Sequence, residues 1–135
     1  MTGFPESDPG ASGLHARWYE ANRLAGRLTA QRCECGRWRT PARYRCPGCG
    51  TDVWSFEPVA PVGRVVSWTI TRRPLHFAFA EAVPYGIVVV VTDEGVRFLL
   101  QYRGDPDEIA IDDEVGIAVD RFGVKVAARS DATAF

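Results

Sequence analysis

Along the second half of the chain, hydrophobic and polar residues alternate with the period of β-strands. In residues 62–71, we predict that Val62, Val66, Trp68 and Ile70 share one face, opposite Ser67, Thr69 and Thr71. Residues 96–102 alternate in the same way, with Val96, Phe98, Leu100 and Tyr102 on one side. The intervening run 86–92 is almost entirely apolar, so we expect it to be covered on both faces.

Turn residues divide this half of the chain into five strands. Asp93-Glu94-Gly95 has the composition of a hairpin turn, and Gly123 separates two further strands predicted at 115–121 and 124–128. Five strands after Pro61 are too many for an isolated hairpin and too few for an immunoglobulin-like sandwich. They fit a five-stranded OB-fold barrel.

The first half of the chain begins with a helical pattern. In residues 14–25, Leu14, Trp18, Ala21 and either Leu24 or Ala25 are predicted to line one face. Ser12 is the expected N-cap, and Gly26 is the expected end of the helix. Short strands are predicted on either side of the region that follows, at 27–32 and 53–56.

All four cysteines of the protein lie within residues 31–51, as two close pairs. Cys33 and Cys35 form the first pair and Cys46 and Cys49 the second, and a glycine follows each pair. A cysteine pair on a tight turn directs two thiolates to one side, and the glycine allows the turn to close. Two such turns joined by a hairpin supply four thiolates in a tetrahedron, which suits Zn²⁺ in a zinc ribbon.

We therefore predict one structural zinc ion per chain. Two disulfides are disfavoured, because Cys33 and Cys35 are too close in sequence to bridge each other comfortably and the sequence shows no secretory signal. A catalytic zinc is also disfavoured, since such sites keep one position open and usually include histidine or carboxylate ligands. The C-x-C spacing of the first pair is one residue shorter than the usual C-x-x-C, so we expect a distorted or shifted first turn.

These patterns predict a mainly β protein, with a helix and zinc ribbon at 14–58 and an OB-fold barrel at 59–130. Residues 1–13 are expected to be a disordered leader or linker, and 131–135 a tail. The sequence contains no run of 18 apolar residues and no signal peptide, so we expect a cytoplasmic protein with reduced thiols and no membrane span.

Several short motifs, taken in order, resemble a known family. They are W-Y-E-x-x-R-x-x-G-R-L in the helix, Q-R-C and C-P-x-C-G around the cysteines, and V-G-x-V-x-S-W-T, V-P-Y-G-I-V-V-V and D-x-V-G-I-A-V in the strands. Over about residues 14–128, the chain resembles the acyl-CoA-associated family that joins a rubredoxin-like zinc ribbon to an OB-fold. It departs from that family in the missing residue between Cys33 and Cys35.

This resemblance implies an accessory role. Members of the family are encoded with, and bind, thiolase-fold enzymes that act on acyl-CoA thioesters, including retro-aldolases of steroid side-chain degradation. The implied function is a non-catalytic subunit or domain, required in a hetero-oligomeric lyase or thiolase-type complex of lipid metabolism. From the residues themselves, the cysteines are assigned to metal, and neither His15 nor His76 has a predicted acid, base or serine partner.

Two other functions fit parts of the sequence. Zinc ribbons and OB-folds also bind single-stranded nucleic acid, and seven arginines oppose one acid between Arg23 and Arg45. The net charge of −1 and the acidic excess after Arg45 oppose this function, and we expect Trp68, Phe98 and Tyr102 to fill the barrel rather than stack on bases. A stand-alone acyl-CoA binder would use the arginines for the CoA phosphates.

Two groups of residues are candidates for contact with a partner or with CoA. The first comprises ribbon arginines, some of which could instead only offset the charge of a zinc tetrathiolate. The second lies in the loop 72–84, which is fenced by prolines yet rich in large apolar residues, and which is either a lid over an open barrel end or an apolar patch for the partner. The candidates are Arg37, Arg39, Arg43, Arg45, Arg72, Arg73, Leu75, Phe77 and Phe79.

Overall fold

The computed structural model describes residues 12–121 and the backbone of 125–129. Residues 1–11 of the leader expected at 1–13 lie outside this range, as does the whole of the tail expected at 131–135. The described elements are α1 (Gly13–Ala25), β1 (Thr29–Cys33), β2 (Trp38–Arg39), β3 (Trp54–Pro58), β4 (Val62–Thr71), β5 (Tyr85–Thr92), β6 (Arg97–Tyr102), β7 (Glu114–Val119) and β8 (Lys125–Arg129). Two single-turn 3₁₀ helices, Phe77–Phe79 and Pro106–Glu108, lie in the connections.

The strands form two sheets. The first is a three-stranded antiparallel sheet in the order β2-β1-β3, and it carries the cysteines. The second is a closed barrel in the order β4-β5-β6-β8-β7, in which β6 and β8 pair in parallel and the other described pairs are antiparallel. The prediction of a mainly β protein with one helix, a zinc-ribbon region and an OB-fold barrel is confirmed. Among residues 12–121, no helix is long and apolar enough to cross a membrane.

The helix α1 packs on β1 through a narrower face than the sequence predicted. Trp18 is buried as expected, but Leu24 is 72% exposed, and the second buried residue of the helix is Asn22. Trp18 and Asn22 are four residues apart and therefore lie one above the other on the helix surface. Gly26 ends the helix as predicted, in the left-handed conformation with φ of 66°.

A β-bulge at Val66 makes the face assignment of β4 wrong in its first half. The register shifts at this residue, and the extra residue reverses the alternation of the strand. Val65 pairs with Val90 and Trp68 pairs with Val88, and both partners are fully buried. Val65 and Trp68 therefore face the same side, the barrel interior, although they are an odd number of residues apart.

The expectation that Trp68 fills the barrel is wrong. The side chain of Trp68 is 40% exposed, whereas Phe98 and Tyr102 are buried as expected. The strand β7 pairs with β4 only at residues 62–64, so the second half of β4 has no other neighbour than β5 among the described strands. The open edge of β4 therefore accounts for the partial exposure of Trp68.

One hydrophobic core joins the helix, the ribbon and the barrel. It contains Trp18 of α1, Leu28 and Ala30 at the start of the ribbon, and barrel residues such as Val65 and Phe98. The ribbon is thereby fixed to the barrel by buried side chains at the end of its sheet that is remote from the cysteine turns.

Candidate metal centre

The four cysteine sulfurs come together at one end of the three-stranded sheet. Cys33 ends β1, Cys35 lies in the turn that follows, and Cys46 and Cys49 lie in the loop before β3. All four Sγ atoms lie within 4.8 Å of one another, with 3.5 Å between Cys33 and Cys49 and 3.8 Å between Cys35 and Cys46. A regular tetrahedron with Zn–S bonds of about 2.3 Å has S···S distances of about 3.8 Å. The cluster therefore fits a zinc ion held by four thiolates.

The two cysteine turns differ in length by one residue. In the first, the Gly36 N–H donates to the Cys33 carbonyl at 2.8 Å, and in the second the Gly50 N–H donates to the Cys46 carbonyl at 2.9 Å. Both glycines have positive φ, 94° and 76°, which side chains rarely adopt. The C-x-C spacing thus shortens the first turn to four residues, while the sulfur of Cys35 still reaches the cluster.

Backbone N–H groups donate hydrogen bonds to the cysteine sulfurs, and the pKa values of the Cys33 and Cys46 thiols shift in opposite directions. The pKa of the Cys46 thiol is lowered to about 6, first by a hydrogen bond from the Cys49 N–H and further by the Gly48 N–H, 3.3 Å from the sulfur. At Cys33 the Cys35 N–H is the strongest influence and lowers the pKa, but removal from water and the neighbouring thiols outweigh it and raise the pKa to about 12. A bound dication would replace the protons that these thiols share.

Gln31 organises the loop that carries the ribbon arginines. Its side chain is 1% exposed, and its Oε1 accepts hydrogen bonds of 2.9 Å from Arg39 Nε and from the Arg43 N–H. Its Nε2 donates to the Arg43 carbonyl at 2.7 Å. Sequence reasoning missed this residue, and the available signal was that Gln31 lies two residues before Cys33 and so shares its face of β1.

The ribbon arginines predicted as contact residues do not converge on one site. The guanidinium of Arg37 occupies the space that a Cβ at Gly48 would take, and Arg45 Nη1 donates to the Gly50 carbonyl at 3.1 Å. These two arginines therefore lie against the second cysteine turn, where they can offset thiolate charge. The terminal nitrogens of Arg39 are buried and have no hydrogen-bond partner among the described residues, while the side chain of Arg43 is exposed.

In the loop 72–84 the apolar residues have different environments. Leu75 and Phe77 are each 86% exposed. Phe79 is half-buried, and its ring centroid lies 5.9 Å from that of Tyr85. The first half of the loop thus presents an apolar patch and the second half covers the barrel. Arg72 forms an ion pair of 3.5 Å with Asp107.

The two histidines have structural contacts. His15 Nε2 lies 3.0 Å from the Tyr19 hydroxyl on the next turn of α1. His76 Nδ1 accepts a hydrogen bond of 3.1 Å from the Ala78 N–H and so caps the 3₁₀ helix of the loop. Two aspartates likewise accept hydrogen bonds within turns, Asp105 from the Asp107 N–H and Asp113 from the Ala110 N–H.

Two protein families match consecutive parts of the chain. Residues 23–57 match the family described as ChsH2, rubredoxin-like zinc ribbon domain, and residues 56–120 match ChsH2, C-terminal OB-fold domain. A DUF35 domain-containing scaffold protein of Pyrococcus furiosus is 33% identical over 96 residues, which cover 70% of this chain and 69% of that protein.

Solved structures match both modules together. A chain of the Ltp2-ChsH2(DUF35) aldolase superposes with a TM-score of 0.75 and 31% identity, over 89% of this chain and 95% of that one. A DUF35 protein of unknown function from Sulfolobus solfataricus superposes with a TM-score of 0.59 over 90% of this chain and 89% of that one. Its identity of 16% shows a common fold only.

Proposed function

Because this chain belongs to the DUF35 family, with the zinc-ribbon and OB-fold domains of ChsH2, we propose that it is a non-catalytic accessory subunit or domain of a thiolase-fold acyl-CoA enzyme. The observation that carries the proposal is the match to a chain of the Ltp2-ChsH2(DUF35) aldolase, which includes both modules and nearly the full length of each chain. The reaction class we propose for the complex is carbon–carbon bond cleavage or thiolysis of an acyl-CoA, in steroid or other lipid side-chain degradation.

The cysteine cluster supports a structural task. Cys33, Cys35, Cys46 and Cys49 would hold one zinc ion, and four thiolates leave no ligand position for water or substrate. A closed site of this kind supplies folding free energy to a small sheet rather than Lewis-acid chemistry. In this proposal the ribbon is a rigid support in the hetero-oligomer, and the protein acts in the cytoplasm, where its thiols stay reduced.

The proposed contact residues divide between two surfaces. Around the ribbon, Arg43 has an exposed side chain and Arg37 and Arg45 line the second cysteine turn, so these arginines are available to CoA phosphates or to acidic residues of the enzyme. On the barrel, Leu75 and Phe77 are available for apolar contact. Arg39, Arg72, Arg73 and Phe79 complete the proposed set.

The test is a co-purification followed by an assay. The tagged chain is isolated from its source cells, the retained enzyme is identified and purified, and turnover of CoA thioesters is measured for the chain, the enzyme and the mixture. We expect no turnover by the chain alone and full activity only in the mixture. Turnover by the isolated chain, or failure to retain any acyl-CoA enzyme, would overturn the proposal.

Single-stranded nucleic-acid binding is the alternative, and the exposed indole of Trp68 is the observation that favours it. An exposed aromatic ring on a barrel strand can stack on a base, although Phe98 and Tyr102 are buried and cannot. Titration of the purified chain with a labelled oligonucleotide at physiological salt distinguishes the two functions. Specific binding that is lost in Trp68→Ala would support the alternative.

A further inference from the structure

The outward side of the barrel at β5 is apolar and only partly covered. The register places Val88 and Val90 inward, where both are fully buried, so Ile87, Val89 and Val91 face outward, and these three are half-buried. Val89 pairs with Leu99 of β6, whose side chain is 61% exposed. The neighbouring strands therefore leave an apolar strip along β5 in contact with solvent.

At one end this strip continues into the loop 72–84. Tyr85 lies on the opposite side of β5 from Gly86, and a Cβ at Gly86 would point at the core side chain of Ile109. Tyr85 therefore belongs to the outward side, and Phe79 packs against it there. Phe79 thus covers the outer face of the strand at Tyr85, and the exposed Phe77 extends the apolar surface beyond it.

At the other end the strip leads into a cavity of about 470 Å³. This cavity lies where α1, the loop after β2 and the β5–β6 hairpin meet. Its lining includes His15, Trp18, Pro41, Val89, Arg97 and Leu99. From Tyr85 to Val89 alone the strip is about 13 Å long at about 3.3 Å per residue. A surface with a linear apolar strip and a terminal cavity suits one protein partner that inserts a side chain.

The charged residues that pair with the outward side of β5 are both arginines. Ile87 pairs with Thr69 and Gln101, Val89 with Ser67 and Leu99, and Val91 with Arg64 and Arg97. None of these six partners is a carboxylate. Arg97 is exposed and also lines the cavity. A complementary surface would therefore carry carboxylates around apolar side chains.

We propose that this outer β5 face, made of Ile87, Val89, Val91 and Leu99 with Arg97 at its edge, docks a different protein that presents apolar side chains flanked by carboxylates. The inference rests on the proposed accessory function, in which that protein is the acyl-CoA enzyme. A second copy of this chain is a poor occupant, because a two-fold contact places the same arginine-bearing surface on both sides. Like charges brought together in this way oppose association.

The experiment titrates the purified acyl-CoA enzyme retained by the wild-type chain with matched variants. Leu99→Glu places a charge at the centre of the face, and Leu24→Glu places the same charge at a leucine of similar exposure on the helix, 72% against 61%. We expect Leu99→Glu to raise the Kd by at least about tenfold, or about 1.4 kcal/mol, because an unpaired carboxylate would be buried against apolar side chains of the partner. Leu24→Glu should leave the Kd within about twofold of the wild-type value.

Arg97→Glu tests the charge component separately. We expect a weaker complex whose Kd depends less on salt than that of the wild-type complex, because a steering charge has been reversed. Equal melting temperatures of the wild type and all three variants exclude a folding defect. If Leu99→Glu unfolds, Leu99→Ser replaces it, because serine removes the apolar contact without adding a charge.

The outcomes separate the surface from the function. If the enzyme binds the wild type and Leu99→Glu equally, the docking surface is overturned while the accessory function stands. If the wild type retains no acyl-CoA enzyme, the accessory function itself fails, and the proposed occupant fails with it. A wild-type dimer in light scattering that dissociates in Leu99→Glu would show that the face pairs two copies instead.

Discussion

The indole ring of Trp18 lies nearly parallel to the phenyl ring of Phe98, with 13° between the ring planes and 6.2 Å between the centroids. Trp18 Nε1 also donates a buried hydrogen bond of 2.7 Å to the Thr29 carbonyl at the start of β1. One side chain of α1 therefore contacts the ribbon sheet and the barrel at once. The helix therefore links the two modules through buried contacts.

Trp18→Ala should destabilise the whole chain. The indole is 4% exposed, and its loss leaves a cavity against Phe98 and removes the hydrogen bond to the Thr29 carbonyl. We expect the free energy of unfolding to fall by about 3–5 kcal/mol, as measured by urea denaturation. Leu24→Ala, at a helix position that is 72% exposed, should cost less than about 0.5 kcal/mol. Similar losses for the two variants would contradict the role of Trp18.

Asn22 and Thr29 form the second link between helix and ribbon. Asn22 is fully buried, and its Oδ1 accepts hydrogen bonds from the Thr29 N–H at 2.8 Å and from the Thr29 hydroxyl at 2.7 Å. Asn22→Ala leaves both donors without this acceptor, so we expect a loss of about 1–3 kcal/mol in the free energy of unfolding.

A second variant measures how much the Thr29 hydroxyl hydrogen bond contributes to the free energy of unfolding. Thr29→Val removes only that group and preserves the bond from the backbone N–H, so its cost should be the smaller of the two. Thermal melts of both variants under one condition give the comparison. An Asn22→Ala protein that is as stable as the wild type would show that the pair contributes nothing.

The features that the sequence predicted correctly depend on short-range patterns. The spacing of Cys33, Cys35, Cys46 and Cys49 predicted their convergence, and the alternation in residues 96–102 predicted the buried face of β6. Such patterns work because tight turns and strand alternation are local geometry.

The features that the sequence did not predict depend on distant partners. Asn22 and Gln31 are polar, and their burial depends on hydrogen bonds to residues distant in sequence, Thr29 for Asn22 and Arg39 and Arg43 for Gln31. The bulge at Val66 could not be derived from the alternation it interrupts. It accompanies a contact between distant segments, in which Val65 exchanges backbone hydrogen bonds with the turn containing Asp112.

Removal of metal should unfold the ribbon before the barrel. The four cysteines connect the turn after β1 to the loop before β3, so a metal held by them would contribute much of the folding free energy of this sheet. With a chelator, or in Cys46→Ser, we expect β1 and β3 to lose hydrogen-exchange protection while β5 and β6 keep most of theirs. Elemental analysis should give one zinc per chain. Freshly purified protein without zinc, or with disulfides in mass spectrometry, would refute the assignment.

Phe77 and Phe79 should respond differently to the same substitution. Phe77 is 86% exposed, so Phe77→Ser should change the free energy of unfolding by less than about 0.5 kcal/mol. Phe79 is half-buried against Tyr85, so Phe79→Ser should cost about 1–3 kcal/mol, less than a fully buried phenylalanine. Differential scanning calorimetry of the two variants tests this. Equal melting temperatures would mean that the loop does not pack on the outer face of β5.

Gln31 is expected to control the shape of the ribbon loop. Its buried amide makes three hydrogen bonds, two of which hold the backbone of Arg43 and one of which holds the side chain of Arg39. Gln31→Leu has a similar size but can make none of them, so it leaves the Arg43 N–H and carbonyl without these partners. We expect a loss of about 1–3 kcal/mol in the free energy of unfolding.

A second variant separates shape from hydrogen bonding. Gln31→Glu keeps the acceptor for Arg39 and for the Arg43 N–H, and loses only the donor to the Arg43 carbonyl. Its carboxylate also faces the Arg39 guanidinium, whose terminal nitrogens lack hydrogen-bond partners among the described residues. Gln31→Glu should therefore lie between the wild type and Gln31→Leu in chemical denaturation, with metal content unchanged in both variants because the four cysteines are intact. If Gln31→Leu is the more stable variant, the loop is held by contacts other than this amide.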